Sequence, residues 1–263
     1  MKYLVNVTLL AICFILVGFS SANQPIDKVN TIFIDIGHGG KDPGALGVNN
    51  SLEKEIAFRI ATQIGALLKT YLPEVKYFYT RQSDEFISLA DRARMANKQN
   101  ADLFISIHAN SSPSPEIYGT ETFVMGISSI PENLRVAMTE NQAIQYEDEK
   151  KRKKEYRDFD LHADYINHIL VANRQNAVRQ RSITMAHLVE KNFASSIGKR
   201  HSRGVKQANL IVLWKTTMPS VLIETGYLSN SKEEKYLSSE EGILETASSI
   251  YRAIRDYIAT IEK

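Results

Sequence analysis

Apolar, β-branched segments alternate along this chain with segments of helical periodicity, and this alternation limits the fold more than any other feature. Strands are predicted over residues 31–37, 75–80, 101–109, 119–125, 209–214 and 220–225, and helices over 51–71, 88–100 and 239–261. We expect Ser51 to cap the first helix. Strands that alternate with helices indicate an α/β fold, with a mainly parallel twisted sheet and helices on both faces.

One long segment interrupts this alternation. Residues 127–198 are rich in charged residues and helix formers and poor in strand formers, and within 147–158 Tyr156 is the single uncharged residue. Core strands resume after it. The sequence therefore predicts one catalytic domain over 23–263 that carries a helical insertion at about 127–198.

The amino terminus resembles an export signal. Lys2 precedes an apolar run over 3–19, and Ser20, Ser21 and Ala22 place small residues at a cleavage site. The run of about 17 residues is short for a membrane anchor, which is the alternative reading. We expect residues 1–22 to be removed, no stable membrane span to remain, and the protein to be secreted across the inner membrane into the periplasm or the medium.

Composition narrows the partners and the metal chemistry. The net charge of the 263 residues is only +2, so nothing demands a nucleic acid or an acidic lipid. The single cysteine, Cys13, lies in the predicted signal segment. A chain without that segment has no thiolate, so a metal site must use histidine, aspartate or glutamate.

Four polar side chains fall near the carboxyl ends of predicted strands. His38 follows the first strand, His108 and Glu224 end later strands, and Glu53 lies in the first turn of the helix after the His38 loop. In an open α/β sheet this edge is the functional one. Each residue alone has an ordinary reading, such as a loop histidine or a first-turn acid that favours the helix dipole.

Together the four residues have the composition of a hydrolytic zinc site. Two imidazoles and one carboxylate form a recurrent catalytic zinc set, and a further carboxylate can serve as the acid/base. His38, Glu53 and His108 would be the ligands and Glu224 the acid/base. Glu55 is a rival to Glu53, and because the two lie about 200° apart round the helix, both cannot face the same metal.

Six segments, in order along the chain, resemble the zinc-dependent N-acetylmuramoyl-L-alanine amidases. They are IFIDIGHGGKDPGALG (32–47), LEKEIAF (52–58), the stretch from Thr80-Arg81 to Asp91-Arg92, ADLFISIHAN (101–110), GVKQANLIVL (204–213) and MPSVLIETGYLSN (218–230). Ile36 departs from the proline that the family usually has before GHGG, which affects loop stiffness.

The resemblance implies zinc ligands at His38, Glu53 and His108 and a catalytic glutamate at Glu224, with Glu53 preferred over Glu55. It also implies hydrolysis of the amide between N-acetylmuramic acid and L-alanine in peptidoglycan, for wall remodelling or daughter-cell separation. The residues alone indicate only metal-assisted hydrolysis. A zinc peptidase acting on stem peptides is therefore the alternative, and a non-catalytic wall-binding module a weaker one.

Some relatives carry a helix in a comparable insertion that lies over the zinc and supplies a glutamate to it. Glu140 and Glu147 are seven residues apart, two turns along one face of a continuous helix. The resemblance predicts that one of them covers the zinc until an activator protein displaces the helix. A solvated charged helix that serves solubility is the plain alternative.

Overall fold

The computed structural model describes residues 28–156, 176–195 and 199–262. The predicted signal segment, 1–22, and parts of the predicted insertion, at 157–175 and 196–198, lie outside these ranges. His162 and His168 lie there too. Among the helices of the described ranges, none combines the length and the apolar character that crossing a membrane requires.

Six strands and eight α-helices form the described part of the chain. In order they are β1 (Thr31–Ile36), α1 (Glu53–Tyr71), β2 (Lys76–Tyr79), α2 (Leu89–Lys98), β3 (Leu103–Asn110), β4 (Thr120–Met125), α3 (Pro131–Asn141), a 3₁₀ turn (Gln142–Tyr146), α4 (Glu149–Glu155), α5 (Asn176–Ala194), β5 (Ser202–Ala208), α6 (Ile211–Trp214), β6 (Ser220–Tyr227), α7 (Ser231–Ser238) and α8 (Glu240–Ile261).

The strands form one sheet in the order β2-β1-β3-β6-β4-β5. All neighbouring pairs are parallel except β4 and β6, which are antiparallel. The prediction of a mainly parallel sheet flanked by helices is confirmed. The carboxyl ends of β1, β3 and β6 therefore lie at one edge of the sheet, where polar side chains can meet.

Apolar side chains cover the sheet on both faces. On one face the buried residues of α1, α5 and α8 pack against those of β1, β3 and β6, with Ile60, Phe193 and Tyr257 among the largest. On the other face Phe33, Phe104 and Phe123 lie under α2, α3 and α6. Alternate residues of each strand supply the two cores, as the pleat of a strand requires.

Near the end of the insertion one predicted strand was wrong, and one strand of the structure was not predicted. The predicted strand over 209–214 is mostly α6, a single helical turn in which Ile211, Val212 and Leu213 are buried. A short apolar run indicates that a segment is buried, but it does not distinguish a helical turn from a strand. The strand beside β4 is instead β5, whose sequence SRGVKQA is too polar to predict a strand.

Serine side chains cap two of the described helices. Ser88 accepts a hydrogen bond from the amide of Asp91 at the start of α2, and Ser239 accepts one from Gly242 at the start of α8. The prediction that Ser51 caps α1 was wrong, because its hydroxyl donates to Glu234 (2.7 Å).

Candidate metal centre and active site

Two histidines and two glutamates converge at the carboxyl edge of the sheet. His38, Glu53, His108 and Glu140 each offer one ligand atom, and these atoms all lie within 4.8 Å of one another. All four side chains are buried. The sequence proposed the first three together and gave Glu140 as one of two candidates for a fourth. Glu55, the rival of Glu53, is exposed.

The glycine-rich loop after β1 brings His38 to this cluster. The backbone of His38 is left-handed (φ 58°), a conformation that non-glycine residues rarely adopt. Its Nδ1 lies 2.9 Å from Oδ2 of Asp42, which fixes the ring with Nε2 towards the cluster. A Cβ on Gly44 would lie 2.6 Å from both the ring of His38 and a carboxylate oxygen of Glu53, so glycine is needed for this close approach.

Glu53 holds the cluster together from the first turn of α1. Its Oε2 lies 3.0 Å from Nε2 of His38 and accepts the amide of Ala45 (2.8 Å). Its Oε1 lies 2.9 Å from Nδ1 of His108 and accepts the amide of Ala109 (3.0 Å). One carboxylate thus spans both imidazoles, and backbone amides fix its orientation.

Glu140 enters the cluster from the last turn of α3. Its Oε2 lies 2.8 Å from Nδ1 of His108 and 3.4 Å from Nε2 of His38. The neighbouring Asn141 fixes this end of the helix, because its side chain donates to the carbonyl of Asn209 (2.8 Å) and accepts the amide of Ile211 (2.9 Å). Glu140 therefore lies where a fourth ligand to the cluster would lie.

Glu147 lies in a different environment, because the helix does not continue to it. A 3₁₀ turn over Gln142–Tyr146 follows α3, so Glu140 and Glu147 do not share one helical face. Oε1 of Glu147 accepts the hydroxyl of Tyr156 (2.7 Å) and the amide of Leu89 (3.0 Å). Among the two candidates, the cluster contains Glu140 alone.

The carboxylates make the cluster favourable to positive charge. Burial lowers the pKa of His38, but Glu53 and its neighbours outweigh it and raise that pKa well above the usual value. Against the same burial, Glu140 and Glu53 raise the pKa of His108 to about 10. Burial opposes ionisation of Glu53, yet the two histidines hold its pKa below the usual range. The same negative charge that raises the pKa of these two buried imidazoles also favours binding of a metal cation.

Glu224 lies beside the cluster on the next strand. It is opposite His108 in the register of β3 and β6, and it is fully buried. Neither of its carboxylate oxygens has a hydrogen-bond partner within the described ranges. Burial, and then the nearby charge of Glu140, raise the pKa of Glu224 well above the usual value. Such a carboxyl holds its proton more tightly than an exposed one and can exchange it with a ligand at the cluster.

The donor set fits a divalent metal such as zinc. Nitrogen and carboxylate oxygen are zinc ligands, and zinc sites hold four of them close together. Nε2 of His38 and Oε2 of Glu140 are buried and, despite their short contacts within the cluster, form no hydrogen bond of suitable geometry in the described residues, as is expected of ligand atoms aimed at an ion. Asp42 supplies the outer carboxylate that commonly orients a metal-bound histidine.

Three residues of the site's surroundings were not singled out from the sequence. Asp42 orients His38, and Arg92 donates to the carbonyl of His38 (2.8 Å). Glu121, on β4, is fully buried and opposite Glu224 in the antiparallel register. Asp42 follows the glycines closely enough for the sequence to have indicated it. The place of Glu121 depends on strand pairing, which the sequence does not reveal.

Comparisons with known proteins identify the family of the chain. The family model described as N-acetylmuramoyl-L-alanine amidase matches residues 32–256. This chain belongs to that family. The amidase is 32% identical to N-acetylmuramoyl-L-alanine amidase AmiA of Salmonella typhimurium over 230 residues, which are 86% of this chain and 75% of the relative. It is 35% identical to a probable AmiB of Haemophilus influenzae, over 90% of this chain and 53% of the relative.

Solved structures agree with the fold of the amidase. The catalytic domain of CwlV, an N-acetylmuramoyl-L-alanine amidase from Bacillus (Paenibacillus) polymyxa, superposes with a TM-score of 0.64 at 30% identity, covering 88% of this chain and 98% of that one. AmiC2 of Nostoc punctiforme gives 0.64 at 27% identity, covering 87% of this chain and 97% of that one. The enzyme is a peptidoglycan amidase.

Proposed function

We propose that this enzyme is a zinc-dependent N-acetylmuramoyl-L-alanine amidase that Glu140 holds in a closed form. The bond cleaved is the amide between the lactyl group of N-acetylmuramic acid and L-alanine. The observation that carries the proposal is the buried cluster of His38, Glu53, His108 and Glu140, with Glu224 on the adjacent strand.

His38, Glu53 and His108 are the proposed zinc ligands. A zinc ion held there supplies Lewis acidity towards a carbonyl group and towards water. Glu53 keeps both imidazoles turned inwards, and Asp42 holds Nδ1 of His38 so that Nε2 faces the cluster. These contacts fix the ligand geometry before substrate arrives, which spares reorganisation during the reaction.

Glu224 is the proposed acid/base. As a carboxylate it takes a proton from the attacking water, and as the acid it returns that proton to the nitrogen of the leaving L-alanine. Its pairing with His108 in neighbouring strands supports this role, because paired residues share a face of the sheet. Full burial protects this proton transfer from bulk water.

Glu140 is the proposed gate. Its carboxylate reaches both imidazoles from α3 and, in this proposal, takes the position that a water and the substrate need. An activator protein that binds the insertion and withdraws α3 would open the site. Closed and open forms would be in equilibrium, so that loss of one carboxylate contact biases the enzyme towards the open form.

The domain organisation of the enzyme and its place of action also belong to this proposal. The chain would be one catalytic domain over 23–263 with the helical insertion at about 127–198, exported by the segment at 1–22. Its site of action would be the wall, in the periplasm or outside the cell, during remodelling or separation of daughter cells. The apolar run at 3–19 supports export.

The decisive experiment compares intact sacculi with free stem peptides as substrates. Purified enzyme with measured zinc content is incubated with each, and the products are identified by mass spectrometry. The amidase releases whole stem peptides from glycan and leaves free stem peptides unchanged. Cleavage within the free stem peptides, with none at the muramoyl amide, would establish the alternative zinc peptidase.

A set of three variants tests the gate without any activator. Glu140→Ala is expected to raise basal turnover at least about tenfold, because a charge-assisted contact contributes about 1.5–3 kcal/mol. Glu147→Ala, at the other candidate, leaves turnover near that of the wild type. Glu132→Ala is the matched control, since Glu132 is exposed in the first turn of the same helix. Unchanged turnover in Glu140→Ala would refute the gate.

A further inference from the structure

A row of charged side chains crosses the sheet from the metal cluster to its edge. His108 on β3 is opposite Glu224 on β6, and Glu224 is opposite Glu121 on β4. Residues that pair across strands share a face of the sheet. Lys206 and Arg203 of β5, the edge strand, continue the row because both contact the carboxylate of Glu121.

Glu121 is the most heavily engaged carboxylate in this row. Its Oε1 accepts the side-chain amide of Asn110 (2.7 Å) and the hydroxyl of Tyr227 (2.7 Å). Its Oε2 meets Nε of Arg203 (3.2 Å) and also Nζ of Lys206. With its side chain 1% exposed, Glu121 is a fixed anchor and is not itself available to a ligand.

The two cations outnumber the one anion that they contact. In the described part of the chain, Glu121 is the sole carboxylate that forms an ion pair with Arg203 or Lys206. A guanidinium has five N–H donors and an ammonium three, and each uses few of them on Glu121. The side chains remain 25% and 18% exposed, so solvent reaches them. One positive charge is therefore left over at a place open to a ligand.

The aromatic rings beneath the cations limit where they can move. The guanidinium of Arg203 lies over the ring of Tyr227 (5.5 Å to its centre), and Nζ of Lys206 lies over the ring of Phe123 (5.9 Å). Phe123 is buried in the core below. The cations are thus positioned in advance, which lowers the ordering cost of binding an anion.

The order of groups along the row determines which part of the substrate meets the cations. This step rests on the proposed function. The scissile carbonyl belongs at His38 and His108, and the leaving nitrogen belongs at Glu224, which protonates it. The peptide stem begins at that nitrogen. A stem that follows the row extends from β6 towards β5. Two strand spacings, about 10 Å, correspond to about three residues of extended chain.

We propose that Arg203 and Lys206 form a subsite for a free carboxylate on the second or third residue of the peptide stem. The lactyl carboxyl of the muramoyl group is already the acyl part of the scissile amide. It therefore supplies no free carboxylate beside the cleaved bond, whereas an acidic stem peptide does. The subsite thus selects among stems by charge.

Two substrates that differ only in these carboxylates test the subsite. One is a muramoyl tripeptide with free carboxylates on its second and third residues, and the other carries carboxamides at both positions. We expect the enzyme to prefer the carboxylate about tenfold in kcat/KM, the usual effect of one charge-assisted hydrogen bond. The comparison is made in the wild type and in Glu140→Ala. In this variant α3 is expected to cover the site less of the time, so that it competes less with the substrate.

Substitution of Lys206 and Arg203 separates recognition from support of Glu121. Lys206→Met and Arg203→Met are expected to slow the carboxylate substrate about tenfold and leave the carboxamide substrate unchanged. Lys206→Arg, which keeps the charge, retains the preference. Lys69→Met is the control, since Lys69 is exposed near the end of α1. Equal losses on both substrates, or no loss on either, would overturn the subsite.

A binding measurement keeps this test independent of turnover. Calorimetric titration of the full chain with the free tripeptide acid and its carboxamide should show tighter binding of the acid, and Lys206→Met should abolish the difference. Equal affinities in both the wild type and Glu140→Ala reject the subsite alone. Absence of peptide release from sacculi rejects the proposed amidase reaction, a result that the titration does not affect.

Discussion

We expect loss of the buried Arg92 side chain to lower the free energy of unfolding of this enzyme strongly. Its guanidinium pairs with Asp35 (2.9 Å) and donates to the carbonyls of Ile36 (2.6 Å), His38 (2.8 Å) and Ile87 (3.0 Å). Both members of the ion pair are almost inaccessible to solvent, at 2% and 0%. The arginine therefore joins α2 to β1 and to the loop that carries His38.

The magnitude for Arg92→Met follows from what would be left behind. The change removes one partner of a buried ion pair, which typically costs about 3–5 kcal/mol because the remaining charge is uncompensated. The three carbonyls also lose a donor, although such losses are not additive among neighbours. We expect the free energy of unfolding to fall by roughly 3–5 kcal/mol, a large part of the stability of a typical domain.

Urea unfolding measures this loss, and a second substitution identifies its cause. Asp35→Asn removes the uncompensated charge, so the double variant Arg92→Met/Asp35→Asn should recover part of the stability. Ser106 still donates to that side chain, as it does to Asp35 (2.6 Å) in the wild type. A loss below about 1 kcal/mol in Arg92→Met, or a double variant no more stable than the single one, would refute the reasoning.

Metal affinity provides a second measurement on the same variant. His38 is held in a left-handed backbone conformation, and Arg92 donates to its carbonyl. Without that contact the strained residue is free to relax, and the ligand moves away from the cluster. Loss of an outer contact commonly lowers metal affinity about 10–100-fold. We expect a loss of this size in zinc titrations of Arg92→Met.

Three further variants test the site and the core. His108→Ala leaves fewer ligands, so we expect purified protein to lose most of its zinc while circular dichroism still reports the fold; full zinc occupancy would contradict the ligand set. Glu224→Gln should keep wild-type zinc and lose at least about 10²-fold in kcat, and unchanged kcat would place the base elsewhere. The buried carboxyl of Glu190 has a raised pKa, caused by burial and only partly offset by three hydroxyl donors. Its contribution to stability is complete below the unfolded pKa and is lost as pH rises through the folded pKa, so Glu190→Gln should gain stability relative to wild type as pH rises above about 4.5. A pH-independent difference in urea midpoints would contradict that linkage.

The sequence predicted the edge of the sheet at which the site lies. His38 follows β1, whereas His108 and Glu224 lie in the second half of β3 and β6, and strand ends can be recognised locally from composition. Glu53 required more, because helical phase separates it from Glu55 but does not say which of the two faces the sheet. The family resemblance indicated Glu53, and in the structure Glu53 lies in the cluster.

The features that the sequence did not predict depend on pairings between distant parts of the chain. Glu121 becomes a neighbour of Glu224 only because β4 and β6 are antiparallel, and local periodicity carries no information on strand order. The polar edge strand β5 was missed because it has too little apolar alternation to be recognised. Glu140 and Glu147 were equivalent on one ideal helix, and a 3₁₀ turn between them removed that equivalence.

The connection between β4 and β5 has two separable parts. The second part, α5, belongs to the core, so the first part can vary in evolution without it. Two adjacent parallel strands need a crossover, and α5 supplies it, with Met185, Val189 and Phe193 packed into the core. The stretch over 127–156 lies ahead of that crossover and takes no position in the sheet. A lineage could lengthen, shorten or replace this stretch while the hydrolytic apparatus stays intact. Under the gating proposed for Glu140, regulation would be an interchangeable attachment, and the same catalyst could respond to different signals in different cells.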